Sequence, residues 1–458
     1  MQNSKLIFCG GVGSTTGANI MLEFNNHKIL VDCGLFQGAK NNEDKNFEDL
    51  KYDPADIDFL LITHAHMDHI GRVPKLVRDG FRGKIISTQE TMELARPMLE
   101  DALKVMQAKH PNKILFEEED IKNTFLLWEG KNYGQKIEFF KNCNLEMQDA
   151  GHILGSAICN VSCGSTKIAF TGDLGNSPSP LLPNTDIPKN VDYLVMESVY
   201  GDRNHESKEE RRNKLKEAIL GGIKKDGTIV IPAFSIERTQ VLLYELNNMI
   251  EDKEIPQVPV FLDSPLAEKV TDIYKKYKKD FKKSVKEEIK KGDDIFDFPG
   301  LKIIKTRDES EEIDKIKSAK IILAGSGMSE GGRIVNHELN YLPDLNATII
   351  LVGYQAVGTM GRKIQDGARE VEIWKKESSF AKATADKVKV RATIENITGY
   401  SSHKDSEHLL EFVEKVAPSK VFVIMGEPKS SLFLIQRICD YLDIDAVYPE
   451  ENKEYELK

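Results

Sequence analysis

Leu60-Leu61-Ile62-Thr63-His64-Ala65-His66-Met67-Asp68-His69 is the stretch on which the fold turns. An apolar run ends, and three histidines and one aspartate then fall within six residues. Imidazole nitrogens and carboxylate oxygens are donors that zinc takes. Side chains alternate along an extended chain, so His64 and His66 share a side. Asp68 and His69 follow after a turn and can face a second, adjacent position. The pattern predicts a two-metal centre at the end of a strand. The competing reading is a chance run of surface histidines. It is the weaker one, because the whole chain of 458 residues holds only 10 histidines.

Two further segments supply donors. Gly151-His152-Ile153-Leu154-Gly155 places a histidine in a turn, and Ala169-Phe170-Thr171-Gly172-Asp173 places an aspartate just past a strand of buried type. Taken singly, His152 reads as a hydrogen-bonded turn histidine and Asp173 as a turn or cap residue. Taken with the first cluster, both read as ligands arriving from several strand ends at one edge. Asp32 also follows a strand and is expected to support the site through hydrogen bonds.

Composition narrows the class. Hydrophobic residues at 40 % and charged residues at 30 % describe a soluble globular protein long enough for two or three domains. No apolar run approaches the roughly 20 residues that span a bilayer, and the first residues show no signal-peptide pattern. The six cysteines are scattered without a Cys-x-x-Cys spacing, so neither a disulfide framework nor a zinc ribbon is indicated. Cys159 and Cys163 are expected to be buried free thiols. A reducing cytoplasm fits this usage. A net charge of −10 argues against indiscriminate nucleic-acid binding but leaves room for a local positive groove.

Along the chain, Leu6 to Asp32 alternates short apolar runs with turns, a meander signature. Strands are predicted at Phe59 to Thr63, Lys84 to Ser87, Lys167 to Thr171 and Tyr193 to Met196. Helical periodicity marks Val73 to Asp79, Thr91 to Ala108 and Lys208 to Lys225. A second α/β pattern follows, with strands at Thr228 to Pro232, Val260 to Leu262, Lys320 to Ala324 and Thr348 to Val352. The last part reads as strand Val388 to Ile394, helix Asp405 to Val416, strand Lys420 to Met425 and helix Ser431 to Leu442. The basic run Tyr274 to Lys283 places Ile273, Tyr277 and Phe281 four residues apart. It predicts a helix with a solvated lysine face, RNA steering by the lysines being the lesser reading.

His64, His66, Asp68, His69, His152 and Asp173, with their flanking glycines, resemble the ligand motifs of the metallo-β-lactamase fold. Glu197-Ser198-Val199-Tyr200-Gly201-Asp202-Arg203 is similar to the first additional motif of the β-CASP ribonucleases, which include the nuclease of messenger-RNA 3′-end processing. Pro232 to Arg238, Asp263 to Ala267, Gly325 to Arg333 and Gly353 to Arg362 resemble that group's cap domain. Gly399 to Asp405 resembles the second additional motif, and Met425-Gly426-Glu427 stands where the third belongs. The likeness spans nearly the whole chain.

The resemblance implies an α/β fold: an αββα sandwich over residues 1–204 and 372–458, interrupted by an α/β cap over 205–371. Single-stranded RNA would be the substrate, entering between sandwich and cap. His64, His66 and His152 would hold one zinc and Asp68 and His69 the other, with Asp173 bridging. Two metals roughly 3.5–4 Å apart activate a shared water for in-line attack on phosphorus. His403, Glu197 and Asp68 are the expected catalytic positions. His403 would protonate the leaving 3′ oxygen or stabilise its charge, and Glu197 would orient a ligand histidine. Products would carry a 5′ phosphate and a 3′ hydroxyl, from endonuclease and possible 5′ exonuclease action. Ser326, Gly327, Gly331, Gly332, Arg333 and Ser402 are expected to bind substrate, the glycines by backbone approach and Arg333 as a bidentate donor. A homodimer is compatible with the sequence.

Two departures stand out. The family's third additional motif supplies a histidine to the second metal, and here the position is Met425. A thioether is a poor zinc ligand, so the second site is expected to be weaker and open to manganese. The segment 375–387, with its single aromatic Phe380, reads as a surface insertion. Two other functions remain in play: a catalytically weakened RNA-binding scaffold, and a small-molecule metallohydrolase. Retention of six ligands counts against the first, and the long cap counts against the second.

Overall fold

A computed structural model describes residues 4–38, 40–375 and 384–457. The chain forms two compact units. One comprises Met1–Asn204 with Ser402–Lys458, the other His205–Ser401.

The first unit is built on two seven-stranded sheets. One runs Glu454–Leu457, Ser4–Gly10, Asn19–Phe24, His27–Val31, Phe59–Leu61, Lys84–Thr88, Trp128–Lys131. The other runs Asp445–Val447, Lys420–Ile424, Tyr193–Glu197, Thr166–Phe170, Ala157–Cys163, Cys143–Asp149, Ile137–Phe140. Alternation decides what faces what. Leu6, Phe8, Leu22 and Leu61 of the first sheet pack in one core with Leu145, Val161, Phe170, Val195 and Phe422 of the second. The opposite side of the second sheet, with Ala169, Leu194, Val421 and Val423, is covered by Leu409, Phe412 and Val413 of helix Ser406–Val416 and by Leu434 and Ile438 of helix Pro428–Leu442. Helix Gln89–Lys109 buries Leu94 and Leu99 beside the first sheet. The layers are therefore helix, sheet, sheet, helix.

The second unit carries a six-stranded, wholly parallel sheet, in the order Leu301–Ile303, Val260–Asp263, Lys320–Ala324, Thr228–Pro232, Thr348–Val352, Thr393–Ile397. Its central strands are apolar and buried throughout, as strands covered on both faces must be. Helix Lys208–Lys224 leads into this unit through a capping box in which Ser207 and Glu210 satisfy each other's backbone amides.

Several sequence expectations change. The segment Val388 to Ile394 is not one strand. Thr384–Lys389 pairs with Glu370–Lys375 as an antiparallel ribbon. The amides of Arg391 and Ala392 then turn onto the Leu342 carbonyl, and Thr393–Ile397 joins the parallel sheet. That pairing keeps the chain in the second unit to Ser401, so the return to the first comes about thirty residues after the expected 372. The basic run is not one helix either. Helix Pro265–Lys276 ends at Tyr277, a 3-10 turn Lys278–Asp280 follows, and Phe281, just past it, is fully buried. Cys163 stands directly opposite Cys143 in the antiparallel pair, sulfur facing sulfur, while Cys159 is free and buried as expected. Sequence spacing could not reveal that cross-strand register. Phe380 and most of the 375–387 segment lie outside the described residues.

The inter-sheet core predicts one outcome. Phe8 is fully buried, with its ring 5.4 Å from Phe422 and 5.7 Å from Tyr455. Phe8→Ala should cost about 3–5 kcal/mol in urea unfolding without changing metal content, which plasma emission spectrometry would check.

Candidate metal centre

The site is assembled from the carboxyl ends of strands in the first unit. His64 and His66 follow Phe59–Leu61, and Asp68 and His69 open the short helix Met67–Ile70. His152 follows Cys143–Asp149, Asp173 follows Thr166–Phe170, and Glu197 closes Tyr193–Glu197. Close backbone approach is needed at Gly34, where an added Cβ would lie 1.4 Å from the Asp68 carbonyl oxygen.

Hydrogen bonds set which nitrogen each imidazole presents. Thr63 donates its hydroxyl to Asp32 Oδ2 at 2.8 Å, so its oxygen accepts from His64 Nδ1 at 3.1 Å. His69 Nδ1 donates to Asp32 Oδ2 at 2.7 Å, and His152 Nδ1 donates to the Ser402 carbonyl at 3.0 Å. Each of these three rings then turns an Nε2 lone pair toward the centre. Asp32 is held in place by the Thr63 amide at 2.8 Å, as expected of a supporting carboxylate.

The inward atoms crowd one another. His64 Nε2 lies 3.1 Å from His66 Nδ1, which lies 3.2 Å from His152 Nε2. Asp173 Oδ2 is 3.3 Å from His64 Nε2 and 3.5 Å from His152 Nε2. A tetrahedral ion with bonds of about 2.0–2.1 Å sets its ligands about 3.3–3.4 Å apart. A second group forms beside the first: Asp173 Oδ1 is 3.3 Å from His69 Nε2, which is 3.8 Å from Asp68 Oδ2. His69 Nε2 and Asp173 Oδ1 are buried and make no hydrogen bond, an expensive state unless an ion takes their lone pairs. The residues present therefore fit two divalent cations, with Asp173 common to both donor groups.

Electrostatics point the same way. Burial would lower the His69 imidazole, but Asp173, Asp32 and Asp68 outweigh it and hold it well above its usual value. A field that draws a proton to His69 also draws a cation. Burial and the neighbouring His64 push His66 well below the usual range, so it stays a neutral donor.

His403 stands beside this centre. Its Nδ1 donates to Glu197, 3.1 Å from both carboxylate oxygens, and lies 4.0 Å from Asp173 Oδ2. Burial works against its charge, but Glu197 and Asp173 raise it to about 9. Glu197 also accepts the Leu174 amide at 2.7 Å. The sequence reading gave Glu197 a ligand histidine as partner. Glu197 pairs with His403, and His69 pairs with Asp32 instead. Nothing in the spacing of Asp32 distinguished these two supporting carboxylates.

Met425 is absent from both donor groups. It is buried in the inter-sheet core, its amide donates to the Gly11 carbonyl at 2.7 Å, and it lines a small cavity with Asp32, His69 and Glu197. In the second unit, Arg333 is committed internally. Nη1 donates to Asp263 and to the Ile304 carbonyl, and Nη2 donates to the Lys305 carbonyl at 2.8 Å. It is not the bidentate donor that the sequence suggested. Gly327 is buried against the Phe234 ring, where an added Cβ would come within 2.7 Å, so packing explains that glycine. Gly331 and Gly332 are exposed, and Ser326 Oγ accepts the Glu330 amide at 3.1 Å.

Removing the orienting carboxylate should show in metal affinity. Asp32→Asn is expected to weaken metal binding about 10–100-fold, read by competition with a chromophoric chelator. An unchanged affinity would mean that His69 needs no such support.

Three family models match the chain: the metallo-beta-lactamase superfamily over residues 15–224, the Beta-Casp domain over 239–364, and the Zn-dependent metallo-hydrolase RNA specificity domain over 387–449. Ribonuclease TTHA0252 of Thermus thermophilus is 31 % identical over 94 % of this chain and 95 % of its own length. Transcription termination factor FttA of Pyrococcus abyssi is 31 % identical over 94 % of this chain and 67 % of its own. A crystal structure of a protein of unknown function from Enterococcus faecalis V583 covers 99 % of this chain and 100 % of its own at a TM-score of 0.55 and 14 % identity, a likeness of fold alone. With the donor groups at its strand ends and these relatives along its length, the chain belongs to the β-CASP ribonucleases of the metallo-β-lactamase superfamily, a family of metal-dependent hydrolases.

Proposed function

We propose that this chain hydrolyses phosphodiester bonds of single-stranded RNA, leaving a 5′ phosphate and a 3′ hydroxyl. The observation that carries the reading is the pair of donor groups sharing Asp173, with His403 held beside them by Glu197. The match to an RNA specificity domain and the ribonuclease among its relatives support RNA as substrate. His64, His66 and His152 would hold one cation and Asp68 and His69 the other, zinc in the first and zinc or manganese in the second. When bound, the pair would supply an activated water and charge neutralisation for in-line displacement at phosphorus. The protein's own part is positional. Glu197 accepts a hydrogen bond from Nδ1 of His403, fixing the ring so that its other nitrogen can protonate the leaving 3′ oxygen. Ser402 contributes its carbonyl to His152, and Ser326, Gly331 and Gly332 are proposed to meet the RNA backbone. Endonuclease and 5′ exonuclease action are both compatible with this chemistry.

End-labelled single-stranded RNA, incubated with zinc or manganese, should be cut by the wild type and not by Asp173→Ala. A thioester and a lactone, run alongside, should be left intact. Folded, metal-loaded protein that binds RNA without cutting it would favour the scaffold, and turnover of the small esters alone would favour the small-molecule hydrolase.

Met425 gives a second test. Met425→His should raise occupancy of the second site in equilibrium dialysis and raise activity with it. Unchanged occupancy and rate would remove Met425 as the cause of a weak site.

A further inference from the structure

Lys404 is a buried lysine, 5 % exposed, next to His403 in the chain. Its ammonium donates to the Gly175 carbonyl at 2.7 Å and to Ser177 Oγ at 3.2 Å. Both acceptors are neutral. Burial works against its charge, which the carboxylates of Glu197, Glu411 and Asp405 favour from farther away, and a packed apolar residue would hold a loop without that opposition. The location suggests what offsets that cost.

Gly175 is the junction of three functional segments. It lies two residues past Asp173. Its amide donates to the Ala150 carbonyl at 2.8 Å, and an added Cβ would sit 1.9 Å from the Gly151 carbonyl oxygen, so its main chain rests on the turn that presents His152. It also pairs with His403 as an isolated antiparallel bridge. The Lys404 amide donates to the Leu174 carbonyl at 2.8 Å, and the Asn176 amide donates to the Ser402 carbonyl at 2.8 Å. These bonds tie main chain to main chain. The Lys404 side chain reaches across the turn onto both Gly175 and Ser177, and Thr185 Oγ1 adds a longer bond to the Gly175 carbonyl at 3.4 Å.

We infer that Lys404 is a positioning residue: its ammonium clips the Gly175–Ser177 turn to the Ser402–Lys404 segment and so sets the distance of His403 from Asp173 and His152. The hydrogen bond from His403 to Glu197 fixes the orientation of the ring. The Lys404 clip fixes where the ring stands. A displacement near 1 Å at a reacting group costs on the order of 100-fold in rate, so this tie should appear in turnover before it appears in binding.

The inference rests on the proposed RNA hydrolysis for its kinetic readout, and a second readout is independent of it. Lys404→Met removes the charge and keeps the length, whereas Lys404→Arg keeps a donor. With metal-loaded protein and a single-stranded RNA oligonucleotide, Lys404→Met should lower kcat about 10–100-fold, with KM and metal content within about twofold of wild type. Lys404→Arg should recover most of the loss. In 15N-histidine NMR, the His403 ring resonances should move in Lys404→Met and return toward wild type in Lys404→Arg. Unmoved His403 resonances with unchanged kcat would overturn the inference. So would a Lys404→Met protein that fails to fold, or that loses metal and melting temperature along with activity, because either outcome assigns the lysine to stability. If the wild type cuts no RNA, the proposed function fails, and the NMR comparison alone decides the role of Lys404.

Discussion

Lone pairs without protons are the constraint around which the first unit is arranged. Three imidazoles and a shared carboxylate face one another at 3.1 to 3.5 Å. His64 and His152 have already spent their ring protons elsewhere, on Thr63 and the Ser402 carbonyl, so their inward nitrogens can only accept. Such a ring of acceptors is repulsive by itself and becomes favourable when cations enter it. The supporting bonds point outward from the centre so that the donors can point inward.

That arrangement explains why the site lies on strand ends. A two-sheet sandwich brings the carboxyl ends of Phe59–Leu61, Cys143–Asp149, Thr166–Phe170 and Tyr193–Glu197 to one edge. Each strand is locked by core side chains such as Leu61, Met147, Phe170 and Val195, so the residue just past it inherits a fixed origin. Donors placed on long mobile loops would spread under their mutual repulsion. Here the loops are short, and glycines at close approaches, Gly34 over Asp68 and Gly175 over Gly151, let the segments touch main chain to main chain.

Much of this was legible in the sequence. The donor residues are chemically distinctive, and the strands that carry them are apolar runs with clear ends, so His64 through His69, His152 and Asp173 could be named from order and spacing. What stayed hidden depends on pairing between distant segments. Glu197 looked like support for a ligand histidine because its partner is set by the return of the chain more than two hundred residues later. Cys143 and Cys163 meet only through strand register. Arg333 looked like a free donor because the carbonyls of Ile304 and Lys305 that satisfy it are invisible in its local motif. The late return to the first unit followed from a strand pairing, Thr348–Val352 with Thr393–Ile397, that periodicity alone does not specify. Local chemistry reads directly from sequence; non-local satisfaction of hydrogen bonds does not.

If Asp173 is shared by two cation sites of unequal make-up, anomalous diffraction at the zinc edge, from crystals grown with zinc, should show one peak enclosed by His64, His66, His152 and Asp173, and a second, weaker peak between Asp68, His69 and the other oxygen of Asp173. Zinc bound elsewhere on the protein, with neither of these positions filled, would rule the shared carboxylate out.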